Sequence, residues 1–134
     1  MQHKTVEAFY RAYIACLNSR DLTRLEDFVG VDVHHNGRRL GVDGYRAMIE
    51  KDFDQIPDLR FTIELIVADP TLIGVRLAFD CHPEGEFLGV AVHGKRVRFS
   101  ENVFYEIRDG RIDKVWSVID KQAIERQVEH PSST

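Results

Sequence analysis

Glu101 and Asp120 lie on two apolar, β-branched segments separated by Asp109-Gly110, a pair that tolerates positive φ at both positions and so marks a two-residue hairpin. If Arg108 pairs with Arg111 across that turn, Tyr105 falls opposite Lys114, Val103 opposite Trp116, Glu101 opposite Val118 and Phe99 opposite Asp120. Side chains alternate with a period of two, so these residues share one face. That face gathers Phe99, Val103, Tyr105, Trp116 and Val118 around two acids. Desolvation raises a carboxyl pKa, and a second carboxylate raises one of a pair further, which suits general acid/base work near neutral pH. Asp120 and Glu101 are therefore the expected catalytic residues, with Trp116, Tyr105, Val103 and Phe99 shaping a substrate pocket. Simpler roles compete: Asp120 precedes KQAIERQV and can cap a helix, Glu101 can pair with Arg98 or Arg76, and Trp116 can be plain core.

Histidines form the second candidate set. His34 and His35 are neighbours on one predicted strand, so alternation sends one inward and the other out, and the two are poorly placed to share a metal. One of them is expected to hydrogen-bond in the pocket, with His35 taken as the pocket residue and His82, beside the loop PEGEFLGVAV, as a further contact. Tyr13 and Phe53, on helical apolar stripes, complete the expected lining. No ligand-spaced pair supports a metal, and no glycine-rich phosphate loop, serine elbow or paired-cysteine motif is present, so neither metal nor cofactor is expected. Cys16 and Cys81 read as free thiols.

The elements that must position these groups follow from periodicity. Val6, Phe9, Tyr10, Tyr13 and Leu17 predict a helix from Gln2 to Asn18. Asp21 caps a short second helix through Phe28, ended by Gly30. Val31 to Asn36 reads as a strand stopped by Gly37, and Asp43 to Ile56 as a helix whose stripe of Tyr45, Met48, Ile49, Asp52 and Phe53 contains one polar member. Beyond Pro57 the period becomes two, with strands over Arg60–Ala68, Thr71–His82, Lys95–Ile107 and Arg111–Ile119 and a last helical turn through Val128. The order is α+β: a curved antiparallel or mixed sheet shaped as a cone, with N-terminal helices on its concave face and a ligand pocket in the mouth. Phe104, Val115 and Ile119 are expected on the outer sheet face, where they would suit a homodimer contact.

With 134 residues, 43% hydrophobic and 30% charged, the chain supports one domain over residues 1–128 and a loose tail over 129–134. A net charge of −4, with basic residues scattered among acidic ones, gives no footprint for nucleic acid. The longest apolar runs are short and no secretory signal pattern opens the chain, so no membrane partner and a cytoplasmic location are expected.

The segments FDQIPDLRFTIELIVAD (Phe53 to Asp69) and HPEGEFLGVAVHGKRVRFSENVFYEIRDGRIDKVWSVIDKQAIERQ (His82 to Gln127) resemble the SnoaL-like polyketide or ester cyclases, members of the nuclear transport factor 2-like fold. The DVHHNGRRLGVDGYRAMI stretch and the helical opening also fit, and DGRIDKVWSVID is the strongest part. The resemblance implies a cofactor-free lyase or isomerase that closes a ring by intramolecular aldol condensation of a hydrophobic carbonyl compound, with the aspartate after the tryptophan strand, Asp120, as acid/base. Where characterised cyclases carry a histidine near that aspartate, the matching strand here has Glu101 and Asn102. Two other roles for the same cone are a non-catalytic small-ligand or dimerisation module and epoxide-hydrolase-like water addition, which needs an Asp and an arginine at one water.

Overall fold

The computed structural model describes residues 3–129. The helix α1 (His3–Ser19) buries Val6, Tyr10, Tyr13, Ile14 and Leu17 along the stripe predicted from three- and four-residue spacing. The expected start at Gln2, and the tail beyond Glu129, lie outside the described residues.

The short second helix does not form as predicted. Asp21 Oδ1 accepts the Thr23 N–H at 3.1 Å and the Thr23 hydroxyl at 2.7 Å, so the side chain that was to cap a helix bends the chain into a local turn instead. Only Leu25–Asp27 wind into a 3₁₀ turn, and Gly30 lies inside the strand β1 (Val29–His35). After a brief β2 (Arg38–Arg39), α2 runs over Gly41–Gln55. Asp43 is not its cap: it sits in the first turn and pairs with Arg46 at 2.8 Å. Gly41, at φ +67, opens the helix where a Cβ would come within 3.2 Å of the Val31 carbonyl oxygen.

The second half follows the predicted strands closely: β3 (Thr62–Ala68), β4 (Leu72–Cys81), β7 (Val97–Arg108) and β8 (Arg111–Ile119), with a small hairpin of β5 (Glu86–Phe87) and β6 (Val90–Ala91) in the loop between β4 and β7. Asp109 and Gly110 adopt the positive φ values of the predicted tight turn. The helix α3 (Lys121–Glu129) closes the described chain. Six strands form one sheet in the order β2-β1-β8-β7-β4-β3, antiparallel except where β1 runs parallel to β8. The fold class is thus the predicted α+β architecture, helices against a mixed curved sheet. Its core is drawn from the α1 stripe, Tyr45 and Ile49 of α2, and the inward-facing residues of β4, β7 and β8.

One register expectation is overturned. Arg108 pairs with Arg111 and Ile107 with Ile112, but Glu106 then pairs with Lys114, so Asp113 is an extra residue bulged out of β8. Every later β8 residue shifts by one place: Val103 faces Ser117, Phe104 faces Trp116 and Glu101 faces Ile119. A one-residue slip exchanges the two faces of a strand. Val115, Ser117 and Ile119 therefore turn inward with Glu101, Val103 and Tyr105. Trp116 and Val118, expected inside, stand on the outer face, 40% and 71% exposed.

Candidate active site

The inward faces of β4, β7 and β8 meet α2 and the β5–β6 hairpin around a cavity of ≈ 100 Å³. Phe61, Phe79, Phe87 and Phe99 form much of its wall, with Ile56, Leu59, Leu88 and Ile119. The Phe79 and Phe99 rings stack with centroids 5.1 Å apart, following their direct pairing across β4 and β7. Into this apolar lining project two acids, Glu101 from β7 and Asp52 from α2. Asp52 was the single polar member of the predicted apolar stripe of its helix, and that anomaly was its signal in the sequence.

The surroundings of both acids disfavour charge. Burial pushes the Glu101 carboxyl up to about 7; a hydrogen bond from Ser117 acts in the opposite sense, and the negative charge of Asp52 adds to the rise. Burial likewise raises Asp52 to about 6, against a small opposing pull from Lys51. Near neutrality Glu101 is then divided between its protonated and ionised forms while Asp52 is mostly ionised, so the pair can present a proton donor beside a proton acceptor, the division of labour that acid/base catalysis uses.

Beneath the acids lies a layer of four buried tyrosines. The Tyr10 and Tyr105 hydroxyls are 2.9 Å apart, and those of Tyr13 and Tyr45 are 2.7 Å apart. Burial raises all four phenol pKa values, and Glu101 adds to the rise at Tyr10, Tyr13 and Tyr45. They stay neutral across the working pH range. Each pair uses one hydroxyl proton between its two oxygens and leaves one for another acceptor.

The predicted site residues lie at different distances from the cavity. Glu101 and Phe99 line the cavity, and Val103, Tyr105 and Tyr13 pack in the buried layer next to it. His35 turns toward the same side and places Nε2 3.2 Å from the Ser117 hydroxyl, while its neighbour His34 faces an outer groove with Asp32 and Lys114. Phe53 packs edge-on against Phe61 with the Arg20 guanidinium 4.5 Å over its own ring, one shell outside the cavity.

Trp116, His82 and Asp120 are not brought to the cavity. Trp116 is on the outer face because of the bulge at Asp113. His82 is exposed and held by Asp58, with Nδ1 to Oδ2 at 2.7 Å and its backbone N–H donating to Oδ1. Asp120 follows the inward Ile119 and caps α3, its Oδ1 accepting the Ala123 N–H at 3.1 Å, beside an open groove shared with Arg60, Arg98 and Ser100. The expected pairings of Glu101 with an arginine are absent because Arg76 binds Glu64 and Arg98 binds Asp80. The arginine that epoxide hydrolysis needs is likewise missing from the cavity lining.

Among the described residues no cluster of three or more His, Cys, Asp or Glu could hold a metal ion, and no helix is long and apolar enough to cross a membrane.

The fold recurs in solved structures. A SnoaL-like polyketide cyclase from Agrobacterium tumefaciens is 48% identical, with a TM-score of 0.91 over 95% of this chain and 98% of that one. TsrD from Streptomyces laurentii superposes with a TM-score of 0.83 at 23% identity, over 96% of this chain and 97% of its own. IdmH from Streptomyces antibioticus superposes with a TM-score of 0.78 at 21% identity, over 92% and 97%. At those two identities the likeness is one of fold. No curated protein matches the chain. The pattern of the SnoaL-like polyketide cyclases matches residues 7–128. The chain belongs to the SnoaL-like polyketide cyclase family, a membership that supports a cyclase- or isomerase-type role.

Proposed function

We propose that the protein is a cofactor-independent acid/base enzyme that acts on a neutral, hydrophobic carbonyl compound by intramolecular aldol-type condensation or isomerisation. The observation that supports this reading is the pair of acids, Glu101 and Asp52, in one small aromatic cavity, with Glu101 pushed up to about 7. The ionised member takes a proton from carbon next to a carbonyl, and the protonated member donates to the oxygen where enolate charge develops. No cation lines the cavity to hold an anionic substrate, which favours an uncharged one. Asp120 enters this reading as the residue that fixes α3, and the proton chemistry passes to Glu101 and Asp52.

The test needs no knowledge of the natural substrate. Ethyl benzoylacetate and related neutral aryl β-keto esters in D₂O report proton abstraction as loss of the α-proton signal by NMR. The wild-type protein is expected to accelerate exchange over buffer, and Glu101→Gln to remove about 10²-fold or more of that acceleration. An unchanged rate in Glu101→Gln would sink the assignment. Binding of such esters without exchange would favour the non-catalytic ligand-binding role instead.

We also propose that the outer sheet face joins two copies of the chain. Val67, Gly74, Phe104 and Trp116 form one row across β3, β4, β7 and β8, with Leu65 and Val118 in the next row. Phe104 is 53% exposed in the single chain. Sedimentation is expected to give a dimer that Phe104→Glu dissociates, and a wild-type monomer would refute the interface.

A further inference from the structure

Ser117 sits where three local arrangements meet. On β8 it faces inward opposite Val103, on the same face as Glu101 and diagonal to it, and hydrogen bonding from its side chain pulls the Glu101 carboxyl downward against burial. On its other side His35 Nε2 is 3.2 Å from the same hydroxyl oxygen. Its backbone is clamped by Asn36, whose Oδ1 accepts the Ser117 N–H at 2.8 Å and whose Nδ2 donates to the Ser117 carbonyl at 3.3 Å. Asn36 holds a left-handed conformation, φ +48, immediately after His35, so one strand end delivers both the imidazole and the clamp. Among the described residues His35 Nδ1 has no hydrogen-bond partner and, unlike the orphaned Nδ1 of His34, is not sealed from solvent.

We propose that Ser117 is a proton relay connecting Glu101, inside the cavity, to the half-buried His35, so that the protonation state of Glu101 is reset through the imidazole. The inference rests on the acid/base reading of Glu101 and adds to it a positioning residue and a route. After Glu101 has given its proton to substrate, the Ser117 O–H donates to the Glu101 carboxylate. As that proton crosses, the serine oxygen takes the proton of His35 Nε2–H, and a proton from water arrives at Nδ1. One proton enters at Nδ1 and one appears on Glu101; serine and imidazole end neutral, the imidazole in its other tautomer. The reverse sequence drains a proton that Glu101 has taken up as base and restores the first tautomer.

The groups facing this chain leave few others to titrate near neutrality. Glu101 is faced by Asp52 from α2, Tyr10 and Tyr13 from α1, Tyr45 from α2 and Tyr105 from its own strand, and the phenols stay neutral. His35 is shifted downward by burial alone. Asp52, Glu101 and His35 are thus the groups whose titrations must be separated.

NMR of the whole chain, labelled at glutamate side-chain carboxyl carbons and histidine ring nitrogens, tests the relay between about pH 4 and 9. In the wild type both His35 nitrogens are expected to show an inflection at the Glu101 midpoint, because the tautomer follows the carboxyl. Ser117→Ala is expected to abolish that inflection while leaving Glu101 well above the ordinary carboxylate range. Ser117→Thr, which keeps the hydroxyl and suits a strand, is expected to restore it. A high Glu101 midpoint with no wild-type His35 response, or a response that survives in Ser117→Ala, overturns the relay alone. A Glu101 midpoint in the ordinary range overturns the acid/base reading and the relay with it. If Ser117→Ala fails to fold, the wild-type response and its retention in Ser117→Thr decide the matter.

Discussion

The β7–β8 hairpin carries two faces made of alternating residues of the same few positions, and they have opposite characters. Inward, Glu101, Val103 and Tyr105 meet Val115, Ser117 and Ile119, a mixture in which polar groups are kept in poor solvent and linked to one another. Outward, Asn102 and Phe104 meet Trp116 and Val118, where large apolar groups stand in water. Each face holds some residues that bulk thermodynamics would assign to the other. The inner face accepts the desolvation of Glu101, with Asp52 of α2 brought against it, and the outer face accepts exposure as a free surface would when it awaits a partner. The bulge at Asp113 decides which β8 residue belongs to which face.

Adding a residue at that bulge is the strongest way to break the contrast. Inserting one residue beside Asp113, with the one-residue bulge kept, would pair Glu106 with Asp113 and drive Trp116 and Val118 inward while expelling Val115, Ser117 and Ile119. Expelling the buried Val115 and the partly buried Ile119, at up to about 1.5–3 kcal/mol each, with a tryptophan forced into a filled core, is expected to destabilise the fold by about 5 kcal/mol in urea denaturation. Asp113→Ala, which keeps the extra residue, is expected to change stability by less than about 1 kcal/mol. An insertion variant of native stability would mean that the hairpin absorbs the added residue in a wider bulge or that the core accepts either face.

That bulge also marks the boundary of what the sequence discloses. The strands after Pro57, the Asp109-Gly110 turn and the apolar stripe of α1 are local patterns, and all appear in the structure within two residues of their predicted ends. Inward alternation on β7 was legible too, since Glu101, Val103 and Tyr105 alternate cleanly with polar or exposed neighbours. The inward set on β8 was not, because Asp113 offers no local signal: the residue that bulges is chosen by the joint fit of β8 to β7 and to the parallel β1, whose register also breaks there. Parallel pairing of β1 with β8 joins segments far apart in the chain, which periodicity does not reach. Asp52 was visible as a misfit on an apolar stripe, yet its partnership with Glu101 needs the helix-to-sheet docking. Asp120 capped the helix that its position before KQAIERQV suggested.

A weaker perturbation tests the inner face by its pH dependence. A carboxyl whose folded pKa is raised contributes stability below its ordinary pKa and loses it as pH rises through the folded value. For Glu101 that window runs from 4.5 to about 7, and Asp52 acts in the same sense from 3.8 to about 6. The wild type is therefore expected to lose stability between pH 5 and 8. Glu101→Gln, which fills the same space without a charge, is expected to flatten that slope and to be more stable than wild type at pH 8 by about 3 kcal/mol, with little difference at pH 4. Parallel denaturation curves of the two proteins at all pH values would show that Glu101 is not desolvated, and the two faces would then differ in packing alone.

The smallest substitution probes the outer face without touching the inner one. Gly74 lies in the exposed row between Val67 and Phe104, and an added Cβ would stand 3.1 Å from Val67 Cγ2 and 3.1 Å from Phe104 Cε1. Both neighbours end in exposed side chains that can give by a few tenths of an ångström, while alanine relieves the backbone entropy of a glycine within a strand, about 0.5–1 kcal/mol. These terms nearly cancel, so Gly74→Ala is expected to leave the stability of a single chain within about 0.5 kcal/mol of wild type. Phe104 would nonetheless be lifted from the flat seat that glycine provides. If this face packs against a second copy, that displacement is expected to weaken the dimer at least about tenfold, roughly 1.4 kcal/mol, in sedimentation at a series of concentrations. Stability that is unchanged together with association that is unchanged would mean that the aromatic row is ordinary exposed surface, since an interface core packed at protein density does not absorb a moved ring without loss.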